Sequence, residues 1–207
     1  FIKAGMAKKC LVIGAETLSR VVDIHDRDSM IFSDGAGATI IEKVEDEHDN
    51  GIIAHESATY ATDEAFYLTF EASYNQELKR ETRYIKMNGR KIYNFALSYV
   101  PQAMKNCLDK SGYGINEVSK IFIHQANEKM DQAICERFYK LYEKEMPEHV
   151  MPMSIAELGN SSVATLPTLL DLVKKNQLEN QHIEKGDVVI FASVGAGMNI
   201  NALVYKI

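Results

Sequence analysis

The sequence contains no tryptophan, only four prolines and only three cysteines among 207 residues. Cys10, Cys107 and Cys135 form neither an even set for disulfides nor a Cys-x-x-Cys metal pattern, so we expect reduced thiols and a cytoplasmic protein. All three lie in apolar patterns, where cysteine behaves as a small hydrophobic residue, and none is a good candidate for a nucleophile. No pairing of His with Cys predicts a metal site.

Long apolar runs and an excess of positive charge are also missing. No segment approaches the ~18 consecutive apolar residues that a membrane helix needs, and no signal peptide is recognisable. We therefore predict a soluble protein that does not insert into a membrane. The net charge of -6 argues against general nucleic-acid binding. Neither glycine cluster is followed by Lys-Ser or Lys-Thr, which excludes a P-loop.

The start of the chain has no initiator methionine. Gly5 resembles the end of a helix whose body lies upstream of Phe1. We therefore expect the chain to be truncated at its N-terminus.

Apolar patterns alternate between the periods of strands and helices, which predicts an α/β fold. Segments 9–15 and 187–193 suit strands buried on both faces. Segment 120–125 predicts a strand that leads into a helix over 128–143. Segment 46–84 shows no firm period, and we interpret it as a connecting region.

Two further helices are predicted. Apolar residues recur at helical spacing over 92–108, and Pro101 should kink or break that helix before Gly112 ends it. Another helix should begin at Ser161 or Ser162 as N-cap, with Pro167 in its first turn.

A weak internal repeat predicts two similar halves. Residues 10–15 are followed later by the glycine-rich segment 35–44, and residues 188–193 are followed at once by the similar segment 195–206. Each half would contribute a strand, a glycine turn and a second strand. For the segment Asp34–Gly37 we favour a structural role.

Two polar side chains are candidates for chemistry. His124 ends a predicted buried strand, at the sheet edge where α/β folds place ligand sites. Asn160 precedes a predicted helix N-terminus, which favours developing negative charge. A structural histidine and a turn asparagine are the alternatives. Together, the two side chains would donate to one oxygen and form an oxyanion or enolate site.

The turn Gly195-Ala196-Gly197 follows a predicted strand. Its small residues would let the backbone approach a ligand, and a backbone N–H there could serve a second oxyanion hole. A tight turn between two strands is an equally good interpretation.

Five motifs in order resemble the ketoacyl synthase III family of thiolase-fold condensing enzymes. They are LVIGAE at 11–16, the segment 27–37 ending FSDGAG, HQAN at 124–127, GNSSVAT at 159–165 and GAG at 195–197. The resemblance implies a thiolase-like αβαβα fold, here truncated at its N-terminus. Residues 1–84 would be the remainder of the N-terminal half with a connecting region, and residues 85–207 the C-terminal half.

The resemblance also implies an acyltransferase with a Cys-His-Asn site. His124 and Asn160 match the catalytic His and Asn, whereas the nucleophilic cysteine would lie upstream of Phe1, so the fragment should be inactive alone. The implied reaction in fatty acid or related biosynthesis is decarboxylating condensation of an acyl thioester with malonyl carrier protein. Gly195, Ala196 and Gly197 would supply backbone donors. The implied enzyme is a homodimer without a cofactor.

The resemblance assigns further residues to its two thioester partners. Arg27 and Asn127 match positions that contact coenzyme A. Arg90, Lys91 and Lys129 match positions that dock the acyl carrier protein. Arg90 and Lys91 end a basic run that also contains Lys79, Arg80, Arg83 and Lys86. A solvated face is the alternative for such a run.

Two other functions stay open. A hydroxymethylglutaryl-coenzyme A synthase-like enzyme would use a glutamate base from the upstream half, and a non-catalytic thiolase-fold partner subunit would only shape a pocket. The Gly-Ala-Gly turn departs from the all-glycine form common in the family, which affects the shape of the substrate pocket.

Overall fold

A computed structural model of the chain describes residues 1–44, 50–78 and 81–207. Within these residues, the first five strands have no described α-helix between them, and strands alternate with α-helices, as the apolar pattern predicts, only from Gly89 onwards. The strands are β1 (Lys9–Thr17), β2 (Asp34–Glu42), β3 (Gly51–Thr59), β4 (Leu68–Glu71), β5 (Tyr84–Met87), β6 (Val118–Ile123), β7 (Val188–Gly195) and β8 (Asn199–Lys206). The helices are α1 (Gly89–Ser111), α2 (Glu128–Lys140), α3 (Ile155–Leu158) and α4 (Thr165–Lys174). Short 3-10 helices span Leu18–Arg20, Arg27–Ile31, Asp63–Tyr67, Ile115–Glu117 and Ser162–Ala164.

The largest sheet contains four strands in the order β3-β8-β7-β6. β7 runs parallel to β6 and antiparallel to β8, and β3 pairs antiparallel with β8 at one edge. Because β6 and β7 run in the same direction, their carboxyl ends lie side by side. This is the edge of the sheet where parallel strands present ligand-binding residues.

Helices cover both faces of this sheet. α1 and α2 pack on one face around a large apolar cluster that includes Met104 and Ile134. α4 packs on the other face, where Phe122, Leu169 and Val173 form a second cluster. The β1–β2 ribbon contacts α4 and the 3-10 helix before it. The described residues therefore stack as helix, sheet, helix, sheet, which accounts for four of the five predicted layers.

The β1–β2 ribbon is less buried than the sequence predicts. β1 pairs antiparallel with β2 alone. Leu11, Val12 and Ile13 are 62%, 52% and 62% exposed. The expectation that segment 9–15 is buried on both faces is therefore wrong for this chain, because no described element covers its outer face. Segment 187–193 is buried, as predicted.

Glycines let the ribbon approach the start of α4 closely. A Cβ at Gly37 would lie 2.4 Å from Pro167 Cγ, and one at Gly14 would lie 2.8 Å from the Val163 carbonyl oxygen. Gly14 and Gly37 face each other in the register of β1 and β2. The glycines of this repeat therefore have a structural role, as favoured for Asp34–Gly37.

Segment 46–84 contains more structure than a connecting region. Residues 45–49 and 79–80 lie outside the described part of the chain. Between them, β3 pairs with β8 along its whole length, and β4 begins a hairpin that β5 completes. We missed β3 because its mixture of small, polar and apolar residues is typical of an edge strand, not of a buried one. The division at residue 84 stays a prediction.

Helix α1 continues through Pro101, so the chain does not break there, and of the predicted kink or break only the kink stays a prediction. Proline cannot donate to the carbonyl four residues earlier. The guanidinium of Arg137, from α2, donates to that Leu97 carbonyl instead, at 3.1 Å. The helix ends at Gly112 with a positive φ of 82°, as predicted. Among the described helices, none is both long and apolar enough to cross a membrane.

Lys86 belongs to the basic run but lies inside the protein. Its Nζ atom is 2.6 Å from Asp23 Oδ2 and 3.1 Å from Asp26 Oδ2, and it lies over the Tyr74 ring. Inclusion of Lys86 in a docking surface is therefore wrong, because its charge is neutralised beneath the surface. Lys79 and Arg80, from the same run, lie outside the described residues.

Asp131 is a carboxyl group in the described core whose burial is poorly compensated by hydrogen bonds. It is 1% exposed, and its carboxyl oxygens make no hydrogen bond of normal geometry with the described residues. Burial raises the pKa of Asp131 to about 8, and the backbone N–H groups of Asn127 and Ala126 offset only part of this effect.

The folded protein should therefore lose stability as pH rises toward 8. The unfolded carboxyl ionises near pH 4. Between pH 4 and pH 8 the folded state keeps a proton that the unfolded state releases, so Asp131 contributes a loss of up to about 1.4 kcal/mol per pH unit. Asp131→Asn should remove this slope in denaturant titrations at pH 6 and pH 8. An equal pH dependence in both proteins would contradict the assignment.

Candidate active site

The sheet delivers His124 to its carboxyl edge, as predicted. His124 follows the last residue of β6, and its backbone N–H donates to the Ala192 carbonyl of β7 at 2.9 Å. The buried amide of Gln125 fixes the loop that follows, because it accepts from the Ser154 N–H at 2.8 Å and donates to the Ile123 carbonyl at 3.1 Å. The position of His124 is therefore set by backbone pairing with β7 and by the side chain of the residue that follows it.

The imidazole of His124 is neutral at physiological pH. Its Nδ1 atom lies 2.9 Å from Thr165 Oγ1, at the start of α4. Burial lowers the pKa of His124 to about 4. A neutral imidazole carries one N–H, so the Nε2 atom can either donate to or accept from a ligand.

Asn160 is held by its backbone and by its side-chain oxygen. Its N–H donates to the Ile31 carbonyl at 2.8 Å, and its carbonyl accepts from the Ser33 N–H at 2.9 Å. The side-chain Oδ1 accepts from the Ser162 N–H at 2.9 Å. This is the turn role that the sequence left open. It leaves the Nδ2 group as the donor that Asn160 can offer to a ligand.

The segment Gly195–Gly197 forms the turn between β7 and β8. Gly197 has a φ of +72°, and the Asn199 side chain donates to the Ala196 carbonyl at 2.8 Å. The tight turn is therefore confirmed. The additional role of its backbone N–H groups as oxyanion donors stays a prediction.

One cavity of about 830 Å³ brings five of the ten predicted site residues together. His124, Asn127, Asn160, Gly195 and Ala196 all line it. Much of the remaining wall is apolar and includes Leu18, Val21, Phe32, Leu68, Ile85 and Ile92. A deep, mainly apolar cavity with a few converging polar groups is the usual form of a small-molecule site.

The other five predicted site residues, which are Gly197, Arg27, Arg90, Lys91 and Lys129, do not line this cavity. Arg27 has a 94% exposed side chain and begins the 3-10 helix whose Asp28 lines the cavity. Arg90 and Lys91 are exposed and follow the lining residue Gly89, and exposed Lys129 precedes the lining residue Met130. All four cations are exposed and adjacent in sequence to residues that line the cavity, and their roles stay predictions. Asn127 caps α2 by accepting from the Met130 N–H at 3.2 Å.

Sequence analysis missed several polar residues of the cavity. Thr165 contacts His124, and Ser193, Asn199 and Asn201 line the wall beside the Gly195 turn. The spacing of these polar residues along β7 and β8 could have revealed them, because residues two apart in a strand face the same side of the sheet. Ser193 lies two residues before Gly195, and Asn201 lies two residues after Asn199.

Metal and disulfide chemistry find no support in the described residues. They contain no group of three or more His, Cys, Asp or Glu side chains that could hold a metal. The three cysteines are free. Burial raises the pKa of both Cys107 and Cys135, which makes these thiols poor nucleophiles.

The sequence matches one family at both ends. Residues 1–61 match the family described as 3-oxoacyl-[acyl-carrier-protein (ACP)] synthase III, and residues 108–207 match its C-terminal part. The beta-ketoacyl-[acyl-carrier-protein] synthase III of Porphyra umbilicalis is 36% identical over 214 residues, which cover 100% of this chain and 62% of the relative. The enzyme of the same name from Aquifex aeolicus is 32% identical over 209 residues, with coverage of 100% and 60%.

Solved structures agree with this similarity. The crystal structure of 3-oxoacyl-[acyl-carrier-protein] synthase III from Aquifex aeolicus VF5 matches with a TM-score of 0.82 and 29% identity, over 100% of this chain and 60% of that one. The synthase III of Thermus thermophilus matches with a TM-score of 0.83 and 28% identity, over 100% and 61%. The chain thus spans about three fifths of the length of the curated relatives it matches.

Proposed function

Because the chain belongs to the 3-oxoacyl-[acyl-carrier-protein] synthase III family, we propose that the protein condenses an acyl thioester with malonyl carrier protein and releases carbon dioxide. The fold is thiolase-like. The observation that carries the proposal is the convergence of His124 and Asn160 on one cavity beside the Gly195 turn.

The site supports the decarboxylation step through two neutral donors. When the bond between the malonyl carboxylate and its α-carbon breaks, the electron pair stays on that carbon and spreads onto the thioester oxygen. Nε2–H of His124 and Nδ2–H of Asn160 would donate to this oxygen. Fixed donors in a desolvated site stabilise such developing charge strongly. The carbanion then attacks the thioester carbonyl of the enzyme-bound acyl group, and the carbon–sulfur bond breaks so that the cysteine leaves as a thiolate.

The cysteine that holds the acyl group is proposed to lie N-terminal to Phe1. Cys107 and Cys135 are buried, and Cys10 does not line the cavity. An enzyme thioester splits the reaction into two easier steps. Residues 1–207 alone should therefore not condense thioesters. Measurable condensation by this chain alone would refute the placement of the nucleophile.

Partners and location follow from the same proposal. We place acyl-coenzyme A at Arg27 and Asn127, and the acidic carrier protein against Arg90, Lys91 and Lys129. These exposed cations lie on a chain of net charge -6, where a local basic patch would steer an acidic partner. No metal or organic cofactor is needed. The working form is proposed to be a cytoplasmic homodimer.

Carbon dioxide release tests the proposed reaction against its alternatives. The natural-length protein would receive acyl-coenzyme A and malonyl carrier protein labelled at the malonyl carboxylate. We expect labelled carbon dioxide and a 3-ketoacyl carrier protein in equal amounts. Condensation of acetoacetyl- and acetyl-coenzyme A without carbon dioxide would instead support a hydroxymethylglutaryl-coenzyme A synthase-like enzyme. Turnover only after addition of a sister chain would support a non-catalytic partner subunit.

A further inference from the structure

Thr165 holds its hydroxyl between two groups at the cavity wall. It is the first residue of α4 and is only 4% exposed. Its Oγ1 lies 2.9 Å from His124 Nδ1 and 2.9 Å from the Ser162 carbonyl oxygen. Both neighbours compete for one hydroxyl proton, since a hydroxyl donates once and accepts twice.

The position of this proton decides whether Nε2 of His124 acts as a hydrogen-bond donor or as an acceptor. If the hydroxyl donates to the Ser162 carbonyl, Nδ1 must carry the imidazole proton, and Nε2 is left as an acceptor. If the hydroxyl donates to Nδ1, Nε2 carries the proton and is a donor. The hydrogen bond at one ring nitrogen thus decides what the other can do.

The Ser162 carbonyl does not depend on the hydroxyl. It already accepts from the backbone N–H of Thr165. Donation by the hydroxyl to Nδ1 therefore leaves neither buried group unpaired, so the cost of an unsatisfied polar group is avoided. The charge of the imidazole cannot make Nε2 a donor instead, because burial keeps the ring neutral above about pH 4.

We propose that Thr165 is a positioning residue that donates its hydroxyl proton to His124 Nδ1 and thereby holds Nε2–H as the donor that faces the bound thioester oxygen. This inference rests on the proposed function, because only a substrate oxygen that gains negative charge needs a donor at Nε2. No proton leaves the pair during decarboxylation.

Two substitutions at Thr165 separate the hydroxyl from the shape of the side chain. Thr165→Val keeps the branched shape and removes the hydroxyl, so nothing fixes the tautomer of His124. Partners that fix the tautomer of a metal-bound histidine typically contribute ~10- to 100-fold to metal affinity or activity, and we take the same range for His124. In the natural-length protein, Thr165→Val should lower kcat for malonyl decarboxylation by about this factor, with little change in KM. Thr165→Ser should restore most of the rate.

A direct measurement of the tautomer completes the test. Nitrogen-15 NMR of the imidazole, with an unreactive malonyl thioester analogue bound, should show protonated Nε2 in the wild type and a mixture of the two tautomers in Thr165→Val. Protonated Nδ1 in the wild-type complex would overturn the inference. So would an unchanged kcat in Thr165→Val. Formation of the acyl enzyme, detected by intact mass, reports that each variant is folded.

His124→Ala distinguishes this inference from the proposed function. If His124→Ala decarboxylates normally, the proposed function itself is wrong. If His124→Ala is impaired while Thr165→Val is not, only the role of Thr165 is wrong.

Discussion

Asn160→Ala is expected to lower the rate of malonyl decarboxylation by about 10² to 10³-fold in the natural-length protein, and His124→Ala by a similar factor. The physical reason is that each substitution removes one fixed donor from the oxygen on which the negative charge develops. Both side chains line the same cavity, and neither donor is charged. Labelled carbon dioxide release measures the step directly.

Asn160→Asp is the matched control for the turn role of Asn160. The aspartate keeps an oxygen that can accept from the Ser162 N–H, as Oδ1 does at 2.9 Å. It replaces the Nδ2 donor by a carboxylate oxygen, which would repel the enolate. We therefore expect Asn160→Asp to fold as well as the wild type and to decarboxylate no faster than Asn160→Ala. Recovery of activity in Asn160→Asp would assign Asn160 to the turn alone.

The double variant with His124→Ala and Asn160→Ala tests whether the two donors share one oxygen. If they do, the second substitution should lower the rate of decarboxylation by a smaller factor in the double variant than it does in the wild type. The reason is that the first substitution has already shifted the oxygen from the position that both donors stabilise. Residues that act as a unit are strongly non-additive in this way. Fully multiplicative losses would place His124 and Asn160 on different oxygens.

The sequence predicted the chemistry-bearing residues better than it predicted their supports. His124 was placed correctly because an apolar strand and its end are visible in local sequence. The support from Thr165 was missed, because it comes from a helix more than 40 residues away and has no local pattern. Burial of Lys86 was missed for the same reason, since its partners Asp23 and Asp26 precede it by about 60 residues.

Exposure of the ribbon was mispredicted for another reason. An apolar strand shows that a face can be buried, but it does not show what covers it. In β1, Leu11 and Ile13 are each 62% exposed in this chain. The ribbon contacts the start of α4 through glycines, where the close approach depends on missing side chains. Local pattern therefore predicted the strand but not its partners.

Lys86→Met should destabilise the protein by about 3 kcal/mol, the low end of the range for breaking a buried ion pair. Asp23 is 2% exposed and would be left as a buried carboxylate without its cation. We choose the low end because Asp26, the second partner, keeps an 11% exposed side chain. Urea denaturation at pH 7 measures the change.

Lys91→Met is the matched control for this prediction. Lys91 also lies over an aromatic ring, that of Tyr67, at 5.2 Å, but it is exposed. We expect a change within about 0.5 kcal/mol, which is usual for surface substitutions. An equal loss in both variants would assign the effect to the contact between the ammonium group and the ring, and not to the buried carboxylates.

The pH dependence of stability identifies the ion pair independently. Burial by itself raises the pKa of Asp23, but hydrogen bonds from Lys86 and from the Tyr74 and His25 backbones hold it far below its usual range. Burial lowers the pKa of Lys86, but Asp23 and Asp26 together raise it above its usual value.

Asp23 therefore stabilises the fold above about pH 4 and loses this contribution as pH falls further. Lys86 stabilises it below about pH 10 and loses this contribution above. Lys86→Met should weaken the loss of stability at both extremes of pH, because it removes the hydrogen bond that lowers the pKa of Asp23 and also removes the ammonium group that titrates at high pH.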